Sequence, residues 1–392
     1  MSIIPYSRQS ISVEDINSVK NVLVSPFLTQ GPKVPEFESA LADYFGTNYA
    51  VCCSSGTAAL HLAYASLGVN AHSIAIVPAI SFAATANAFR YLGCKVIFCD
   101  IVAKTGLMCT RHLEEILSTL PPLRKEQMGF IAPVSFAGRT APLVVCSKLA
   151  NRYGFKVIED ASHAVGAWDI NPDDQQKIRS GSCIHSDVSC VSFHPVKHIC
   201  CGEGGVVLTN CKKTAKTAKK LRSHGIERPF DEGHETPWYY EQVDLGWNYR
   251  MTDLQAALGI SQLSRIKCSL QSRVNIAKRY KTLLSDQVFS DGISLPDFLE
   301  GHAWHLFVIR FKHKGSRNRA YNFLKSRNIY SQVHYIPLYK HPYYQKIVGD
   351  LCLPGTEDYF DGCLSIPMFP DLSTEDQDRV VFELKNFLEL EN

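Results

Sequence analysis

The sequence predicts an α/β protein with a large, mainly parallel sheet domain followed by a smaller C-terminal α/β domain. Three observations lead there. From about residue 49 to 210, short apolar runs alternate with helical patterns. After about residue 250 the character changes to long amphipathic helices, then to mixed strands and helices. The chain's 392 residues also exceed the usual single-domain range. The large domain is therefore placed at 1–250, with the N-terminal segment, and the smaller one at 251–392.

The elements follow in order. YAVCCSS reads as a strand, GTAALHLAYASLG as a helix, SIAIVPA as a strand, AATANAFRYLG as a helix and KVIFCD as a strand. GFIAPVSF, helical PLVVCSKLANRYG, KVIEDA, DVSCVSF and GGVVLT continue the rhythm. Such alternation gives a mainly parallel sheet with helices on both faces, and ligands at the C-terminal ends of its strands. MTDLQAALGISQLSRI and SRVNIAKRYKTLLSD read as the long helices past the boundary. The stretch 222–250 lacks periodicity, and loops of that length are often functional. Lys212, Lys213, Lys216, Lys219, Lys220 and Arg222 recur at helical spacing and read as a solvated helix face, with anion, DNA or membrane binding as weaker alternatives.

Composition narrows the classes. Hydrophobic residues at 45% and charged residues at 20% describe an ordinary globular chain. A net charge of +3 is too small to argue for nucleic acid, yet it does not obstruct an anionic ligand. No apolar run approaches the ~18 residues of a membrane span, and the opening MSIIPYSRQSISVEDINSV has no basic segment followed by an apolar one. The protein is therefore expected in the cytoplasm, without membrane association. The 14 cysteines lie mostly in apolar runs and include no C-x-x-C, so they are expected as reduced thiols with no structural metal.

Three segments carry chemistry. SSGTAAL puts Ser55, Gly56 and Thr57 between a strand and a helix, where backbone amides can cradle a phosphate; an ordinary N-cap explains it as well. VIEDASHAVGA delivers Glu159 and Asp160 at a strand end with His163 beyond, and a buried carboxylate there must be paired. The alternative is an Asp that opens a short helix. In VSFHPVKHICCGEGGVV, Ser192 and Lys197 follow a strand and precede a Gly-rich turn. Most lysines are surface charges, but one desolvated at a sheet end has a lowered pKa and a free lone pair, as a Schiff-base lysine requires. Together these segments make the parts list for pyridoxal phosphate.

The combination resembles the fold-type-I DegT/DnrJ/StrS-type family of PLP-dependent sugar aminotransferases, from about residue 5 to the C-terminus. The matching segments are LTQGPKVPEFE, SSGTAALHLA, PAISFAATANA, EDASHAVGA, SFHPVK, GEGGVV and GWNYRMTDLQAALG. Within that family, SHA after Asp160, SHGIER at 223–228 and QVHYIPLYKHPYY at 332–344 are most similar to members that aminate a UDP-linked keto-deoxy sugar on the route to pseudaminic acid.

The resemblance implies roles. Lys197 would hold the cofactor covalently and shuttle a proton, while Asp160 would pair with the protonated pyridine nitrogen. Phe82 would stack on the ring, although a core Phe is the simpler reading, and His163 would lie near the phenolic oxygen. Gly56, Thr57 and Ser192 would hold the phosphate. Asn248 would reach in from a neighbouring subunit, which makes the protein a homodimer with active sites at the interface. Tyr6, Phe27, Leu28, Thr29, Gln30, Gln332, Val333, His334 and Tyr335 would contact substrate, with interdomain packing as the alternative.

The implied reaction moves an amino group from L-glutamate to the 4-keto carbon of a UDP-linked 4-keto-6-deoxy-N-acetyl-amino sugar, forming UDP-4-amino-4,6-dideoxy-N-acetyl-β-L-altrosamine. Rival readings are the same chemistry on another nucleotide keto sugar, or a non-catalytic regulator that keeps the fold. Related sugar dehydratases carry histidine in place of the lysine, so Lys197 argues against that class. A nicotinamide site is disfavoured because no G-x-G-x-x-G follows the first strands. Two segments depart from the family pattern: His198-Ile199-Cys200-Cys201 after the lysine, and a long insertion at 171–187. Both put fine substrate choice in doubt.

Overall fold

The computed structural model describes residues 2–228 and 236–391; residues 229–235 of the aperiodic stretch lie outside the described residues. The large domain contains α1 (Val13–Leu23), α2 (Lys33–Phe45), β1 (Tyr49–Cys53), α3 (Gly56–Ser66), β2 (Ile74–Pro78), α4 (Ala84–Tyr91), β3 (Lys95–Cys99), α5 (Thr110–Thr119), β4 (Gly129–Ile131), α6 (Leu143–Tyr153) and β5 (Phe155–Asp160). A hairpin of β6 (Trp168–Ile170) and β7 (Lys177–Arg179) follows, then β8 (Val188–Ser192), β9 (Gly205–Thr209) and α7 (Lys212–Arg222). The short pair β10 (Ile226–Glu227) and β11 (Glu241–Gln242) precedes α8 (Asp253–Ser264).

Seven strands form one sheet in the order β1-β9-β8-β5-β4-β2-β3. Neighbours from β8 through β3 are parallel, and β9 runs against both of its neighbours. The period-2 alternation of a strand explains why both faces are apolar. Val51 and Cys53 of β1 and Ala75 and Val77 of β2 pack with α3, α4 and α7, whereas Ala50 and Cys52 face the cluster built on α2. Ile76 faces a third cluster with α5 and α6. Helices therefore cover both sides, and the strand ends are left for a ligand.

The basic helix α7 buries Thr214, Ala215, Ala218 and Leu221. Lys219 and Arg222 pair with Glu38 at 3.2 and 2.7 Å, and Lys220 with Glu227 and Asp244 at 3.5 and 3.7 Å. This is the solvated face the spacing suggests. All 14 cysteines are free thiols. No helix among the described residues is long and apolar enough to cross a membrane.

Beyond residue 250, α8 opens on a capping box in which Thr252 and Gln255 bond reciprocally. It packs on α1 and α2. A separate apolar cluster gathers from Ile276 of α9 (Ile266–Leu283) to Leu388 of the C-terminal helix, and it includes Ile4. Packing thus joins α8 to the large sheet's layer and starts the second core with α9, later than the boundary at 250 read from periodicity. The small domain has a three-stranded antiparallel sheet, Ile293–Ser294, Phe307–Phe311 and Cys363–Ile366. Ile4 bonds to Asn328 and Tyr330 of this domain, so the N-terminal segment runs along it and carries Tyr6 to the cleft between the domains.

Candidate active site

A cavity of about 780 Å³ lies at the strand ends and is lined by residues from both domains. That size suits a cofactor with a substrate beside it. Lys197, Asp160, His163, Ser192, Gly56, Thr57 and Phe82 all line it, as do Tyr6, Gln332, Val333, His334 and Tyr335.

Each group is placed by its local sequence. Asp160 ends β5, where strand alternation separates it from Glu159. Glu159 points to the opposite face and is fully engaged by Ser135 Oγ at 2.6 Å, Ser189 Oγ at 2.8 Å, the Gly181 amide at 2.9 Å and Ser180 Oγ. Asp160 faces the cavity. Its Oδ2 accepts from Thr85 Oγ1 at 2.7 Å and its Oδ1 from the Ser162 amide at 3.1 Å, which leaves lone pairs for a cationic ring nitrogen.

Lys197 sits on a loop pinned from below by the buried side chains of Phe193, Ile199 and Cys201. The Phe193 amide donates to Gly204 O at 2.8 Å, and Cys201 N to Phe193 O at 2.9 Å. Gly202 has φ +78°, a conformation costly for other residues, and a Cβ on Gly205 would fall 2.4 Å from the Ser55 carbonyl. These glycines let the loop return into β9 against the cradle. Burial pushes the Lys197 amine down to about 8, with Asp160 opposing the shift.

The cradle works in two ways at once. Ser55 caps α3 by accepting from the Ala58 amide at 3.1 Å, the ordinary N-cap foreseen as an alternative. The helix N-terminus still opens onto the cavity, and a Cβ on Gly56 would stand 2.6 Å from Ser192 Cβ. His163 Nε2 meets Tyr335 Oη at 3.1 Å, while its buried Nδ1 has no partner among the described residues. Burial, then the Lys197 cation, hold this imidazole well below the usual histidine range. Phe82 is 60% exposed in the cavity, so the core-Phe reading is set aside. An acceptor carboxylate, an amine, a helix N-terminus cleared of Cβ, an open aromatic face and an orphaned ring nitrogen together fit pyridoxal 5′-phosphate.

Four expected residues are elsewhere. Phe27, Leu28, Thr29 and Gln30 lie on the surface, outside this cavity. They are tied to the start of α8: Asp253 N donates to Leu28 O at 2.9 Å, and Thr29 bridges Thr252. Asn248 is also exposed, four residues from that bridge. The insertion 171–187 and the segment 198–201 do not line the cavity either. Cys201 is a packing residue, its Sγ 2.8 Å from where a Cβ on Gly259 would lie, and burial raises its thiol pKa. Sequence reading missed Thr85, His194, Glu203 and His341. All four lie in segments that carry the family resemblance, and Thr85 is in addition the lone hydroxyl in AATANA.

Fold and site define a pyridoxal-phosphate-dependent aminotransferase of fold type I. The chain belongs to the DegT/DnrJ/EryC1/StrS aminotransferase family, matched over residues 9–385. It is 34% identical over 386 residues to the UDP-4-amino-4,6-dideoxy-N-acetyl-beta-L-altrosamine transaminase of Campylobacter jejuni, covering 98% of this chain and 97% of the other. Helicobacter pylori PseC, described as an aminotransferase involved in the biosynthesis of pseudoaminic acid, superposes with a TM-score of 0.87 at 27% identity over 99% of this chain and 100% of that one. NtdA of Bacillus subtilis, solved with bound cofactor PMP, gives a TM-score of 0.82 at 28% identity over 97% and 83%.

Proposed function

We propose that the protein aminates the 4-keto carbon of a UDP-linked 4-keto-6-deoxy-N-acetyl-amino sugar, with L-glutamate as donor. The observation that carries this reading is the match over nearly the full length to the altrosamine transaminase, joined to a cavity where Tyr6, Gln332, His334 and Tyr335 face Lys197 and Asp160. When bound, pyridoxal phosphate supplies an electron sink for the carbon that exchanges its proton.

The chain's own groups do the rest. Lys197 anchors the cofactor and carries the proton, a task suited to an amine that titrates near 8. Asp160, steadied by Thr85, holds a proton on the ring nitrogen. Gly56, Thr57 and Ser192 would hold the phosphate, Phe82 would cover the ring, and His163, whose buried Nδ1 has no partner among the described residues, would stand beside it. Tyr6 and the segment 332–335 orient the sugar with hydrogen bonds and flat apolar edges.

The active assembly is a homodimer. Among the described residues the cavity lining contains no arginine and no lysine besides Lys197, whereas a UDP-sugar brings two phosphates. Cationic groups and Asn248 of a second copy would complete the site, and the exposed strip of Phe27, Leu28 and Asn248 offers the surface for it. The decisive experiment incubates pure protein with glutamate and a panel of UDP-keto sugars, with product amines identified by mass and NMR. Turnover of another keto sugar with none of the altrose-configured one would overturn the finer assignment and favour the rival nucleotide-sugar reading.

A further inference from the structure

An anion in the large cavity needs donors, and few remain for a second one. Gly56 and Thr57 follow β1 and Ser192 ends β8, so the phosphate cradle lies at the β1-β9-β8 side of the sheet. His194, Lys197 and Glu203 belong to the loop between β8 and β9, on that same side. His163 and His334 are buried and engaged. His163 Nε2 is 3.1 Å from Tyr335 Oη, and His334 Nδ1 is 2.8 Å from Ser365 Oγ. On the other side of the cavity, that leaves His341.

Its place is fixed by the fold. The Leu338 amide donates to Ala79 O at 2.9 Å, just past the C-terminal end of β2. In the sheet β2 stands three places from β8, roughly 14 Å at the usual strand spacing. Pro342 confines the preceding His341 to extended backbone, found at φ −73° and ψ 139°. The His341 carbonyl accepts from the Tyr344 and Gln345 amides, both at 2.9 Å, and Tyr344 Oη ties the turn to Asn87 Oδ1 of α4 at 2.7 Å. The imidazole itself is partly exposed, lines the cavity and makes no hydrogen bond or ion pair among the described residues. A side chain held this firmly with its donor unspent is suited to a ligand.

We propose that His341 binds the diphosphate of the acceptor, and that this chain's share of the diphosphate site lies at the β2 side of the cavity. The proposal deepens the proposed function and rests on its UDP-linked acceptor. The direction follows from the sugar. C4 has to meet Lys197, and C1, which bears the diphosphate, lies across the six-membered ring from C4. The diphosphate therefore leaves on the side away from the lysine loop and from the Glu203 carboxylate, toward His341. An imidazole keeps at least one N–H in either protonation state, and its hydrogen bond to an ionised phosphate oxygen is charge-assisted.

The test measures binding of UDP and of uridine to the cofactor-loaded enzyme by titration calorimetry. His341→Ala should weaken UDP roughly tenfold and leave uridine unchanged, while His341→Gln, which keeps a donor N–H, should retain most of the UDP affinity. Equal UDP affinity in wild type and His341→Ala overturns the role of His341 and leaves the UDP-sugar reading standing. Absence of UDP binding to wild type overturns both together. An equal loss for UDP and uridine also overturns the proposal, because it reports a disturbed pocket and not a lost phosphate contact. Wild-type crystals of the loaded enzyme soaked in UDP need no variant: the imidazole should lie within about 3 Å of a phosphate oxygen. A diphosphate bound away from His341 there overturns the proposal.

Discussion

Removing the Lys197 charge should stabilise the cofactor-free protein, by an amount that depends on pH. Burial holds this amine at about 8 against an ordinary 10.5. At roughly 1.36 kcal/mol per pH unit, the fold is penalised by about 3.4 kcal/mol for the charged form. That is an upper figure, because the cavity mouth admits water to the amine. Below pH 8 the folded chain carries the buried charge, and between 8 and 10.5 folding expels a proton. Wild-type stability therefore rises with pH across that window, where the unfolded chain binds more protons.

Lys197→Met keeps the volume and removes the charge. With about 2.1 cal/mol/K per residue over 392 residues, the unfolding entropy is near 0.8 kcal/mol/K. The variant should melt about 2–4 °C above wild type at pH 7, and the gain should fall to under about 2 °C at pH 9.5. The assay is thermal unfolding of both proteins stripped of cofactor, at matched ionic strength. No gain at pH 7, or a gain that persists unchanged at pH 9.5, would refute the reasoning. The same variant should lose transamination.

Other outcomes follow from the site. Asp160→Asn should lower turnover on the order of 100-fold or more, by removing the charge that stabilises the ring proton, while cofactor absorbance shows that binding persists. Thr85→Val removes a 2.7 Å hydrogen bond to a buried carboxylate; it should cost about 1.5–3 kcal/mol in urea unfolding and weaken cofactor affinity, whereas Thr85→Ser should restore both. Gly56→Ala places a Cβ 2.6 Å from Ser192 Cβ; overpacking of about 1–3 kcal/mol at the cradle should raise the cofactor Kd about 5- to 150-fold by fluorescence titration. Asn248→Ala should reduce turnover without changing the far-UV spectrum of the folded chain, and sedimentation of wild type should give a dimer mass.

The β-α rhythm was legible because each strand and helix writes its own period, and because β-rich runs such as IAIVP and helix-rich runs such as LVVCSKLANRY keep to one template. Asp160 and Lys197 were legible for a related reason: each stands at a strand end or in the loop just after one, where sheet geometry already directs groups toward a ligand. Tyr6, 326 positions from Gln332, could be tied to the cavity only through the family resemblance, since the pairing of Ile4 with Ile329 that brings it there is a contact between distant segments. The length of the 171–187 insertion puts fine substrate choice in doubt, and nothing local in it says what it packs on. In the structure its Ser180-Gly181 turn bonds Glu159 on the other face of the strand.

By itself the sequence determined which segments become strands and helices, and that the Glu159-Asp160 pair ends one strand while Lys197 follows another, because those properties are local and periodic. Tertiary structure decided the rest. It turned Asp160 rather than Glu159 into the cavity, set Thr85 against it, moved the helix after residue 250 onto the large domain and left residues 27–30 on the surface. Each of these depends on which distant side chains share a small volume, and packing, not periodicity, fixes that.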